Sequence, residues 1–203
     1  MHSAMLHLAR AATAAALVSL LLATAAVAGP IADNAGKAEQ DLATGDAAGA
    51  IAAFDEAADA FWSAVPLTFR VATFATDVKG FGEYTPVSDA TFHAGDTATI
   101  YLEPVGYGFA PVQGDNAGTP PGFRVSYTTG IEIRTPGGLI LGKTDNLGTA
   151  EWSGTAKSYQ VQTAISVVLP AALKPGSYLL LLTLTDTTTR KSATATLPFA
   201  IAE

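Results

Sequence analysis

The stretch 123–134, FRVSYTTGIEIR, decides the fold class. Phe123, Val125, Tyr127, Thr129, Ile131 and Ile133 fall on one side of an extended chain, and Arg124, Ser126, Thr128, Glu132 and Arg134 on the other. This period of two predicts a strand with one face in a core and one in water. Gly130 interrupts it and predicts a bulge at which the strand bends from one sheet into the other.

Working outward, the same extended character recurs at 67–74, 98–103, 139–141, 163–169, 178–185 and 193–201, with Gly, Pro, Asn or Asp at nearly every junction. Short strands without helices between them predict a mainly β domain, an antiparallel β-sandwich, over 66–203. The run Tyr178-Leu179-Leu180-Leu181-Leu182 is apolar on both faces, so it is expected mid-sheet, covered on one side by the opposite sheet. The closing stretch 172–201, ALKPGSYLLLLTLTDTTTRKSATATLPFAI, resembles the last hairpin of immunoglobulin-like or fibronectin-like domains, in which a Pro-Gly-x-Tyr turn feeds a central strand. That resemblance implies a packing role for Tyr178.

Ahead of the strands, 29–65 is rich in Ala, Asp and Glu and predicts a short αα-hairpin. One helix covers 33–44. Gly45 ends it and Asp46 caps the next, in which Ile51, Phe54, Ala57, Ala58 and Phe61 recur at helical spacing. That face is expected to cover the apolar 178–182 strand through Phe54 and Phe61. The segment 45–57, GDAAGAIAAFDEA, resembles part of a tetratricopeptide repeat; a single copy is an ordinary helical hairpin rather than an array.

Residues 1–28 read as a signal peptide, with Arg10 as positive region, an uncharged apolar run from Ala11 to Leu22 and Ala26-Val27-Ala28 as cleavage site. The expected product is periplasmic or secreted, without stable membrane insertion after cleavage. The chain has no cysteine, which removes a lipidation thiol, disulfides and thiol catalysis together. Its formal net charge is −7 and its basic residues are scattered, so no nucleic acid partner is expected.

Chemistry-bearing patterns are sparse. His93, in the turn Phe92-His93-Ala94-Gly95-Asp96, is the single histidine after position 28, and no Gly-x-Ser-x-Gly elbow or phosphate-binding glycine motif occurs. Asp33-Asn34, Asp115-Asn116 and Asp145-Asn146 each open an Asp-Asn-x-Gly string, yet none continues into a calcium loop with a distal glutamate. No cofactor, metal or catalytic set is assigned.

The informative segments are FWSAVPLTFR (61–70), GFGEYTP (80–86) and EPVGYGFAP (103–111). Glu103 ends its strand because Pro104 cannot donate to a ladder. Phe81, Tyr84, Tyr107 and Phe109 sit among Gly and Pro, where aromatic rings either fold back as a satellite core, with Trp62 and Phe61 packing on Tyr84 and Phe81, or line a binding surface. Phe81, Tyr84, Glu103, Tyr107 and Phe109 are therefore the candidate binding residues. In their order FW, PLTFR, GFGEYTP, FHAGD, EPVGYGF and LPFAI, these segments are similar to a group of uncharacterised exported alphaproteobacterial proteins. This resemblance implies export and a shared fold, and transfers no catalytic residue.

Three functions are compatible with these features: a non-catalytic envelope module that binds another envelope protein or a glycan, a glycan hydrolase using Glu103 with Glu83, and a structural subunit assembling through strand edges.

Overall fold

A computed structural model describes residues 29–114 and 120–203. The expected signal peptide and the Asp115-Asn116 string lie outside these residues. Among the described residues no helix is long and apolar enough to cross a membrane.

The chain opens with α1 (Pro30–Thr44), which ends at Gly45, and α2 (Ala47–Ala64), capped by Asp46, whose side chain accepts a hydrogen bond from Gly49 N at 2.9 Å. The remainder is strand, mostly antiparallel. A four-stranded sheet has the order β2 (Glu83–Pro86), β1 (Thr68–Gly80), β4 (Thr97–Val105), β8 (Thr163–Val168). A six-stranded sheet runs β3 (Thr91–Phe92), β10 (Ser192–Ile201), β9 (Gly176–Asp186), β6 (Gly122–Arg134), β5 (Ala110–Val112), with β7 (Ile140–Gly154) also paired to β6.

One core unites the two sheets. Phe74, Ile100, Leu102, Ile165 and Val167 of the first meet Val125, Tyr127, Ile133, Leu180, Leu182, Leu184, Leu197 and Phe199 of the second. The arrangement is consistent with a β-sandwich. Burying each of Leu180, Leu182 and Leu184, all fully inaccessible, contributes about 1.5–3 kcal/mol, so this row is a principal source of stability in a fold without disulfides. Tyr178, at the start of β9, donates from its hydroxyl to Lys174 O at 2.7 Å, pinning the chain that enters the strand.

Several expectations are corrected. Phe54 and Phe61 do not cover the 178–182 strand; they are 65% and 53% exposed. The helices pack through alanine, with Ala38 buried on α1 and Ala50, Ala53 and Ala57 on α2. The residue of α2 that enters the sandwich core is Trp62, which meets Tyr107 and Tyr159 rather than Tyr84 and Phe81. The outward side chains Leu179 and Leu181 are half-buried, Leu181 beside the hydroxyls of Thr183, Thr185 and Thr194.

Pro104 does not end β4. The strand continues to Val105, pairing Pro104 with Phe69; β8 stops opposite Leu102, so Pro104 has a sheet neighbour on one side only. Gly130 does sit at a register shift, where Thr129 pairs Gly148 and Ile131 pairs Thr144, but β6 stays within one sheet. The extra residues belong to β7, which runs far beyond the expected 139–141.

Tyr127 is buried with no hydrogen-bond partner for its hydroxyl, and burial pushes its ionisation well above the ordinary phenol value. Tyr127→Phe removes an orphaned polar group while keeping the ring. It should raise unfolding free energy by about 1 kcal/mol, measurable by urea denaturation of the two proteins.

Candidate functional site

The five candidate residues separate into two neighbourhoods. Phe81, Tyr84 and Glu103 come together on the outer face of the four-stranded sheet. The β1–β2 turn brings Gly82 N to 2.8 Å from the Tyr101 hydroxyl, which in turn donates to Glu103 Oε1 at 2.7 Å. Tyr84 stacks on Tyr101 at 4.0 Å between ring centroids, and the Arg70 guanidinium lies 5.6 Å from the centre of Phe81. Burial first, then the hydrogen bond to Glu103, pushes the Tyr101 phenol up to about 12, so it remains a donor at neutral pH. Glu103 is 4% exposed beneath this turn.

Tyr107 and Phe109 lie at the junction of α2 with the sandwich. Trp62 Nε1 donates to Tyr107 O at 2.9 Å, the Tyr107 hydroxyl donates to Ser158 O at 2.7 Å, and Gly108 N donates to the buried Asp186 carboxylate. Asp186 also accepts from Thr188 N and Thr189 N, so this carboxylate ties the loop to the β9–β10 turn. Phe109 packs edge-on against Tyr107, Phe123 and Tyr159. Tyr107 is 1% exposed, so it is a core residue and offers no surface.

Two polar clamps hold α2 here. Lys191 Nζ donates to Ser63 O at 2.8 Å, Val65 O at 2.7 Å and Gly106 O at 3.3 Å, satisfying carbonyls around the helix exit. Asp59 accepts from Lys157 Nζ and from the Tyr159 hydroxyl. A cleft of about 220 Å³ remains between Asp59, Trp62, Phe109, Lys157 and Lys191.

A larger site escaped the sequence reading. On the outer face of the six-stranded sheet, the β6–β9–β10 register sets Thr128, Thr185 and Ser192 in one rung, Gly130, Thr183 and Thr194 in the next, and Glu132, Leu181 and Thr196 in a third. Thr183 and Thr194 share a hydrogen bond of 2.8 Å, as do Thr185 and Ser192. β7 walls this face. The register shift projects its residues 144–148 beside Gly130, where a Cβ would stand 3.2 Å from Asp145 O and 3.3 Å from Thr144 O. The result is an open cleft of about 400 Å³ lined by threonine hydroxyls, Leu181, Ile131 and the pairs Glu132–Arg134 and Lys143–Asp145.

In each pair the carboxylate raises the ionisation of its cation, that of Arg134 through Glu132 and that of Lys143 through Asp145. Both cations therefore stay charged and neutralised at any physiological pH. The legible signal was the alternation of Thr in 183–185 and 194–196, which marks an outward hydroxyl row once those strands are paired.

Among the described residues no group of three or more His, Asp or Glu side chains is placed to hold a metal ion. His93 is exposed in its turn, with its backbone N–H donating to Asp96 Oδ2.

No family model and no curated protein matches the chain. Among solved structures it is similar to the C-terminal domain of Wzt, with 14% identity and a TM-score of 0.38 over 70% of this chain and 77% of that one. A likeness at that distance bears on neither ligand nor role.

The geometry generates two expectations. Gly106 has φ +81°, and a Cβ there would lie 2.6 Å from Pro66 O. Gly106→Ala should cost about 3 kcal/mol by denaturant titration, because a left-handed alanine also meets an immobile backbone oxygen. For Asp59, burial works against its carboxylate, but the hydrogen bonds from Lys157 and Tyr159 outweigh it and hold the carboxyl below its usual value. A depressed folded value stabilises the fold fully above the unfolded carboxylate pKa of about 3.9, and this contribution is lost as pH falls through the lower folded value. Thermal unfolding across pH 2–6 should show a shallower acid decline in Asp59→Asn than in the wild type, whose melting temperature converges on the variant's at the acid end.

Proposed function

We propose that the protein is an exported, non-catalytic binding or accessory module of the cell envelope, and that its ligand face is the threonine-lined cleft of the six-stranded sheet. The observation that carries this reading is the array of outward hydroxyls on Thr128, Thr183, Thr185 and Thr194, set on hydrogen-bonded strands and walled by β7. Sites on sheet strands are rigid and pay little ordering entropy on binding. Paired hydroxyls that can each donate and accept suit a polyhydroxylated ligand, and Leu181 offers apolar floor for the C–H face of a sugar ring. A glycan is thus the ligand class that the chemistry favours.

The remaining architecture supports a scaffold for that face. We read residues 66–203 as an immunoglobulin-like sandwich, supported by the Tyr178 hydrogen bond back to Lys174, and 29–65 as a helical hairpin docked on it. The hydrolase reading is disfavoured because Glu103 is buried and engaged by Tyr101. Assembly by strand donation is disfavoured because β10 is paired with β9 along its whole length.

An array of envelope oligosaccharides and peptidoglycan fragments tests the assignment. A retained glycan should bind about tenfold or more weakly to Thr183→Val/Thr194→Val, a change that keeps side-chain volume and β-branching while removing the shared hydrogen bond. Equal retention by the wild type and the double variant would remove the cleft from consideration.

A further inference from the structure

The helix pair carries an apolar surface that its own packing does not use. Ile51, Phe54 and Phe61 are 65%, 65% and 53% exposed, at spacings that align them along one flank of α2. α2 meets α1 through its alanines and the sandwich through Trp62, so alanine at these three positions would satisfy the fold equally. Large apolar side chains held in water on a fixed helix mark an interaction surface.

Charge indicates what covers it. Asp55 follows Ile51 by one helical turn and flanks the stripe, and the two helices also carry Asp33, Glu39, Asp41, Glu56 and Asp59, with Lys37 their sole basic residue. Facing a second copy of this stripe would set acidic rim against acidic rim, and an anionic surface would be repelled. We propose that the stripe docks a cationic amphipathic helix of a partner protein, apolar face against Phe54 and Phe61 and Lys or Arg side chains against Asp55 and the acidic field of the helix pair. This surface lies on α2, apart from the cleft of the six-stranded sheet, and depends on no ligand there.

Fluorescence anisotropy of a labelled Leu–Lys amphipathic peptide of about 18 residues, roughly five helical turns, provides the test, with a Leu–Glu peptide of the same pattern as control. The purified protein should bind the Leu–Lys peptide and not the Leu–Glu peptide. Phe54→Ser/Phe61→Ser should weaken binding about tenfold or more with an unchanged melting temperature, since both rings are outside the core. Asp55→Lys should weaken binding of the Leu–Lys peptide about tenfold, and an unchanged affinity would overturn the charge contact. Equal binding of both peptides, or an unaltered dissociation constant in the serine variant, would overturn the proposal. So would concentration-dependent self-association in sedimentation that the serine variant abolishes, because the occupant would then be a second copy.

Discussion

The structure depends on the tight passage of Gly106-Tyr107-Gly108 between the helix exit and the two sheets. Gly106 passes the Val65 and Pro66 carbonyls at a distance that excludes a side chain. Tyr107 fills the core, takes the Trp62 indole N–H on its carbonyl and gives its own hydroxyl to Ser158. Gly108 donates to Asp186, the buried carboxylate at the end of β9. Three consecutive residues therefore join α2, the four-stranded sheet and the β9–β10 turn. Such a junction is cooperative: loss of any one contact leaves another buried polar group unpaired, at about 1–3 kcal/mol each. Without disulfides, these bonds and the leucine row hold the helices in a fixed orientation.

This junction gives EPVGYGF a packing role that accounts for its prominence in the sequence. Aromatic and glycine residues in a connection signal close approach of chains, and close approach serves a ligand or another part of the same protein equally well. Only the partner decides, and the partners Trp62, Ser158 and Asp186 lie 45 or more residues away in sequence. The long-patterned strands were legible, because inward alternation along β9 and β10 survives into the structure with little change, while in β6 Ser126 and Glu132 of the expected wet face are buried as well. β7 was not. Its sequence, interrupted by three glycines and mostly polar between them, has no buried alternation, and the backbone ladder to β6 is what fixes it.

The helices show the same limit in another form. Both faces of α2 are apolar, one small and one large, and the rule that large apolar residues go inward selects the large face. The alanine face won because it lets two backbones approach closely, while a single tryptophan, with a hydrogen-bonding edge, suffices to anchor the pair to the sandwich. A period count ranks faces by hydrophobicity and cannot rank them by fit.

The cleft and the helix stripe have opposite electrostatic character, and this bears on how each can act. In the cleft every cation has its own carboxylate, Arg134 with Glu132 and Lys143 with Asp145, so its field is short-ranged and the proposed recognition there would rely on hydroxyl geometry. Such recognition is insensitive to ionic strength, since neutral hydrogen bonds release no counterions. Around α2 the acidic side chains are largely uncompensated and solvent-exposed, so their attraction reaches a Debye length, about 8 Å at physiological salt, and accelerates encounter with a cationic partner. Because Trp62, Lys191 and Asp59 hold α2 rigidly to the sheet edge, occupancy of one surface need not deform the other. On the two proposals made above, a neutral partner would be held by shape and a charged one by field, with the Gly106–Gly108 passage fixing the distance between the two surfaces.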